Sequence, residues 1–68
     1  MYILSGDKMK YEIGELVRIN VGKEFSDNHD KLAIIIEYNE RRYLPYKCIV
    51  QGVPGETFLY ADQHMEKV

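Results

Sequence analysis

Lys31-Leu32-Ala33-Ile34-Ile35-Ile36-Glu37-Tyr38 is the stretch on which the fold turns. Three consecutive isoleucines, stiff at χ1, favour an extended chain over a helix. The apolar run is continuous rather than alternating, which predicts a central strand covered on both faces. Lys31 and Glu37 flank it as charges that oppose edge-to-edge association. Upstream, Glu15–Val21 (ELVRINV) alternates Val17, Ile19 and Val21 with Arg18 and Asn20, the period of a strand with one buried face. Downstream, Arg42–Gln51 (RYLPYKCIVQ) sets Tyr46, Cys48 and Val50 against Lys47, Ile49 and Gln51. Pro45 lacks a ladder donor, so the chain around Leu44 belongs at an edge or a bulge. Glu56–Tyr60 and His64–Val68 complete a set of five short strands.

Turn formers separate these runs. Gly22 ends the first, and Lys23–Asp30 (KEFSDNHD) forms a long polar loop whose one apolar residue, Phe25, is expected to fold back and anchor it. Asn39-Glu40-Arg41 makes the next turn. Pro54-Gly55 suits the centre of a type II turn, and Ala61–His64 leaves room for a single 3₁₀ turn. Ahead of Gly14, Tyr2-Ile3-Leu4 reads as a short strand and Ser5–Lys8 as a turn. Met9, Tyr11 and Ile13 then alternate with Lys10 and Glu12, so residues 1–13 are expected to form an arm or extra edge strand. The core expected from this pattern is Val17, Ile19, Leu32, Ile34, Ile36, Cys48, Val50, Phe58, Leu59 and Met65.

At 68 residues the chain is a single domain, residues 1–68, near the lower size limit for a self-sufficient core. Its one cysteine, Cys48, rules out an intramolecular disulfide, and no Cys/His set has zinc-site spacing. An apolar fraction of 46% fits a folded domain rather than a disordered segment. The net charge of −2 argues against a general nucleic-acid binder, which is ordinarily basic. No positively charged leader precedes an apolar stretch, and the Leu32–Ile36 run is too short to span a bilayer. Cytoplasmic location and no membrane association are the expectations that follow.

The order and spacing of these motifs resemble an SH3-like barrel of the bacterial and phage kind. The resemblance rests on Gly14-Glu15-Leu16-Val17-Arg18-Ile19, a polar loop, Ile34-Ile35-Ile36-Glu37, Tyr46-x-Cys48-x-Val50, and the Phe58–Val68 end, about four-fifths of the chain. It implies an all-β barrel of five to six short antiparallel strands with a 3₁₀ turn before the last, and a small phage, prophage or accessory bacterial protein. Eukaryotic signalling SH3 domains carry an Ala-Leu-Tyr-Asp-Tyr motif and paired Trp residues that this chain lacks. The opening strand resembles barrels of the KOW type, which usually place a glycine immediately before the second strand, where Asp30 and Lys31 stand here.

No catalytic constellation emerges, and no cofactor or metal is expected. Ser26–Asp30 lacks calcium-loop spacing, and His64, near Asp62 and Glu66, has no nucleophile placed beside it. Cys48 reads as an inward apolar filler. One group stands out: Arg41, Arg42 and Lys47 interleave with Tyr43 and Tyr46. Tyr and Arg are frequent hot spots of protein interfaces, and the same pairing contacts phosphates and bases. In SH3-like barrels the long first loop commonly meets the ligand, which adds Phe25 and His29, with Tyr60 able to approach. The expectation is a non-enzymatic module binding another protein through Arg41, Arg42, Tyr43, Tyr46, Phe25, His29 and Tyr60. Nucleic-acid binding through Arg41, Arg42 and Lys47 is the alternative.

Overall fold

The computed structural model describes residues 10–68. Five antiparallel strands, β1 (Leu16–Ile19), β2 (Leu32–Tyr38), β3 (Tyr46–Val50), β4 (Phe58–Tyr60) and β5 (Met65–Lys67), form one sheet in the order β4-β3-β2-β1-β5. The sheet curls into a half-barrel, and one 3₁₀ turn (Asp62–His64) carries the chain from β4 to β5. There is no α-helix among the described residues. The architecture is that of a small SH3-like barrel. The strand expected at Tyr2–Leu4, the turn at Ser5–Lys8 and Met9 lie outside the described residues.

The concave face holds the core: Tyr11, Val17, Ile19, Ala33, Ile35, Tyr46, Cys48, Val50, Tyr60 and Met65. β1 and β3 bury the residues that their alternation selects. β2 departs from the expectation of cover on both faces. Ala33 and Ile35 point inward, while Ile34 is 46% exposed on the convex face. Ile36 faces outward by the same alternation, and a register shift against β3 between Ile35 and Glu37 turns Glu37 outward as well, as a bulge does when two residues oppose one. The inward set is therefore offset by one residue from the expected Leu32, Ile34 and Ile36, and Leu59 is likewise exposed while Leu32 and Phe58 are half-buried. Tyrosines take the vacated core positions.

Tyr11 fills the open side of the half-barrel. Its hydroxyl donates to the Met65 carbonyl of β5 at 3.0 Å, and its backbone N–H donates to the Tyr46 hydroxyl of β3 at 3.2 Å. The Lys10 N–H reaches the same hydroxyl at 2.8 Å, and the two rings meet edge to face, 5.9 Å between centroids. Tyr11 is thus part of the core, whereas Lys10, Glu12 and Ile13 are exposed and residues 10–13 form no strand, so the described end of the arm is neither an extra edge strand nor inward-facing at Ile13.

Asp30, just before β2, sits at φ +72°, in the left-handed region where glycine is favoured and Asp is tolerated. Its N–H donates to the Ile19 carbonyl at 2.7 Å, so the turn into β2 is closed with Asp in a glycine-favoured conformation.

The offset of the core yields a direct test. Ile35→Ala should destabilise by roughly 2–5 kcal/mol, because it empties a fully buried site. Ile34→Ala should cost less than about 1 kcal/mol, as is usual at exposed positions. Urea denaturation followed by circular dichroism separates the two, and equal losses would contradict the register. A second expectation concerns alkali. Burial pushes the Cys48 thiol from 9.0 up to about 11 and raises Tyr11 and Tyr60 above 10.0. The unfolded chain therefore sheds these protons first, so stability that is complete below about pH 9 is lost as pH climbs towards 11. Urea midpoints should fall over that window, and Cys48→Ala should delay the onset to the tyrosine range.

Candidate functional site

The β2–β3 connection, Asn39–Pro45, is short, polar and internally braced. The Asn39 N–H donates to the Pro45 carbonyl at 2.9 Å, and the Arg42 N–H to the Asn39 carbonyl at 3.1 Å. The Asn39 side-chain oxygen accepts from the Arg41 N–H at 3.0 Å, an Asx-type closure. Arg42 is the central strut. Nη1 lies 2.9 Å from Glu37 Oε1, Nη2 donates to the Pro45 carbonyl at 3.1 Å, and Nε to the Leu44 carbonyl at 3.4 Å. Lys47 reaches the same Glu37 oxygen at 3.5 Å. Arg42 and then Lys47 hold the Glu37 carboxyl below its usual range. On this frame Tyr43 is 92% exposed, and Arg41 is exposed beside it.

The β1–β2 loop is organised around different residues. The Gly22 N–H donates to His29 Nδ1 at 3.1 Å, and His29 Nε2 stands 3.7 Å from Asp30 Oδ2. Asn28 is buried and its amide donates to the Tyr60 hydroxyl at 3.0 Å, tying the loop to the core. Phe25 rests one ring edge over Gly22, where a Cβ would stand 3.1 Å from its Cδ2, yet the ring is 79% exposed. It does not anchor the loop; Asn28 does. That residue was unmarked in the sequence because Asn in a loop ordinarily signals a turn, not a buried donor.

The expected site therefore divides into three. Arg41, Arg42 and Tyr43 share one loop. Phe25 and His29 share another at the opposite end of β2, about 20 Å away for a strand of that length. Tyr46 and Tyr60 are core residues, their hydroxyls engaged by Lys10, Tyr11 and Asn28. Of the gathered residues, Arg42 acts as a brace and Tyr43 and Arg41 as presented groups.

Elsewhere, Cys48 is fully buried with Sγ 3.9 Å from Met65 Sδ, and its raised pKa keeps it a thiol at neutral pH. The Ala61 N–H donates to His64 Nδ1 at 3.1 Å, and the ring lies edge-on to Tyr60. Among the described residues, no three His, Cys, Asp or Glu side chains gather where they could hold a metal ion, and no helix is long and apolar enough to cross a membrane.

The role of Arg42 as a strut is open to measurement. Arg42→Ala should leave the global unfolding midpoint within about 1 kcal/mol of the parent, in line with a surface ion pair. It should nevertheless speed amide exchange at Asn39 and Arg42, whose N–H groups are bonded only within the loop. Unchanged exchange would show that the loop holds itself without the guanidinium. No protein-family model, curated protein or solved structure matches this chain.

Proposed function

We propose that this chain is a non-enzymatic binding module that docks on another protein through Tyr43 and Arg41. The observation that carries the reading is the contrast between an almost fully exposed tyrosine and the braced loop that carries it. An aromatic ring held out on an ordered backbone loses little conformational freedom on binding, so more of its contact energy appears as affinity. Arg41 adds a flanking donor that suits a carbonyl or carboxylate of the partner. An adaptor of this size fits a bacterial or phage accessory protein acting in the cytoplasm, the setting that the resemblance implies.

The charge arrangement favours protein over nucleic acid. Arg42 and Lys47 share the single carboxylate of Glu37, at 2.9 and 3.5 Å, which offsets part of the basic cluster's charge on a chain whose net charge is −2.

Tyr43→Ala should leave the circular dichroism spectrum unchanged and weaken capture of the partner from a host lysate by at least tenfold, about 1.4 kcal/mol. Capture equal to the parent's would remove the loop from the interface. For the alternative, binding of DNA or RNA should be measured as salt is lowered, since phosphate contacts strengthen there. Tight binding at low salt, abolished by Arg41→Ala, would reverse the preference.

A further inference from the structure

The two histidines of this chain are used in the same way. Each holds a main-chain N–H on its ring Nδ1: Gly22 donates to His29 at 3.1 Å, and Ala61 to His64 at 3.1 Å. A ring nitrogen accepts only while it carries no hydrogen, so in both rings the proton sits on Nε2. Both sites lie at one end of the half-barrel, and a hydrogen-bonded network joins them. The Asn20 N–H donates to the His64 carbonyl at 2.7 Å, and the Asn20 side-chain amide to Glu66 at 2.9 Å. Asn28, next to His29, donates to the Tyr60 hydroxyl, and the Tyr60 and His64 rings meet edge to face, 6.2 Å between centroids. Both histidines are half-buried, held in place yet within reach of solvent protons.

We infer that His29 and His64 form an acid-sensitive latch on this end of the barrel: protonation at Nδ1 releases the Gly22 and Ala61 N–H groups and loosens the β1–β2 loop and the 3₁₀ turn. An imidazolium carries a hydrogen on both nitrogens and accepts nothing. The Nδ1 lone pair that received the backbone N–H is taken by the incoming proton, so the donor must turn to water. The caps therefore hold while the rings are neutral and are lost on acidification. The charges around the rings fit an exchange of partners. Asp30 Oδ2 stands 3.7 Å from His29 Nε2, so a cation that gives up Gly22 has a carboxylate already in place. Lys23, Glu24 and Asp27 of the same loop are exposed. His64 meets the Tyr60 ring of β4 and shares its turn with Asp62. Glu66 of β5 is engaged by Arg18, at 3.9 Å, and by the Asn20 amide. The Asn39–Pro45 loop, at the other end of β2, contains no histidine. The latch is thus independent of the binding role proposed for Tyr43.

NMR of the full chain from about pH 8 to about pH 5, the span over which imidazole changes charge, reads the latch directly. At the alkaline end the ring nitrogens of both residues should show the Nε2–H form. As pH falls, the Gly22 and Ala61 amide protons should move upfield, each with the midpoint of its own histidine. Their protection from exchange, corrected for the intrinsic rate, should fall by about fivefold, the worth of one hydrogen bond. The Asn39 and Arg42 amides should stay where they are. His29→Asn, whose side-chain oxygen can stand where Nδ1 stood, should keep the Gly22 N–H bonded and abolish its titration while Ala61 still responds. His64→Asn should do the converse. Should either variant fail to fold, the parent's spectra decide alone. Rings in the Nδ1–H form, or rings that stay neutral down to about pH 5, would overturn the inference. So would Gly22 and Ala61 amides that do not follow their rings, equal movement at Asn39 and Arg42, or a response that survives in the folded Asn variants.

Discussion

The fold depends on closing a half-barrel that its own five strands leave open. Strands β3 and β5 are separated in the sheet by β2 and β1, so no ladder joins them. Tyr11 spans that gap from the concave side, its N–H on the Tyr46 hydroxyl and its own hydroxyl on the Met65 carbonyl. Both polar ends of the plug are thereby satisfied, which matters because an unmatched buried donor or acceptor costs about 1–3 kcal/mol. In so small a domain, with net stability typically only about 5–15 kcal/mol, one such loss is a large share of the whole. Lys10 and Tyr11 supply both N–H groups that the Tyr46 hydroxyl accepts.

How far the sequence could be read follows from which rules are local. The alternation in β1 and β3 is local, and it identified Val17, Ile19, Cys48 and Val50 as core. The same alternation already put Tyr46 beside Cys48 and Val50, and its neighbouring basic residues do not alter that. β2 was harder. An all-apolar run carries no phase, so nothing within Leu32–Ile36 tells Ile34 from Ile35. Phase comes from pairing, Ala33 with Val50 and Ile35 with Cys48, and from the bulge at Ile36. Both are long-range facts. The split of the expected site has a simpler cause. Successive hairpin loops of an antiparallel sheet fall at alternate ends, so a loop before β2 and a loop after it cannot be neighbours.

Electrostatics in this molecule is arranged in short-range pairs rather than as a field. Glu37, turned outward by the bulge, collects Arg42 and Lys47, while Glu15 takes Lys67 at 3.3 Å and accepts the Glu12 N–H through its other oxygen. Each pair is exposed and contributes little by itself. What Glu37 does accomplish is geometric: it fixes the guanidinium that in turn fixes the loop carrying Tyr43.

The tyrosine content looks like an interface signal until each ring is located. Tyr11, Tyr46 and Tyr60 are buried, and each hydroxyl has a partner, the Met65 carbonyl, two arm N–H groups and the Asn28 amide respectively. Tyr38 is half-buried and packs on Tyr46 with centroids 4.9 Å apart. These rings do what Trp and Phe do in larger cores, with the hydroxyl reaching across to fasten an arm or a loop that a chain of this size could not otherwise hold. The surplus of tyrosine is thus mostly structural. Once the structural ones are removed, Tyr43 is the described tyrosine that the fold leaves exposed, and its exposure is the observation on which the proposed binding role rests.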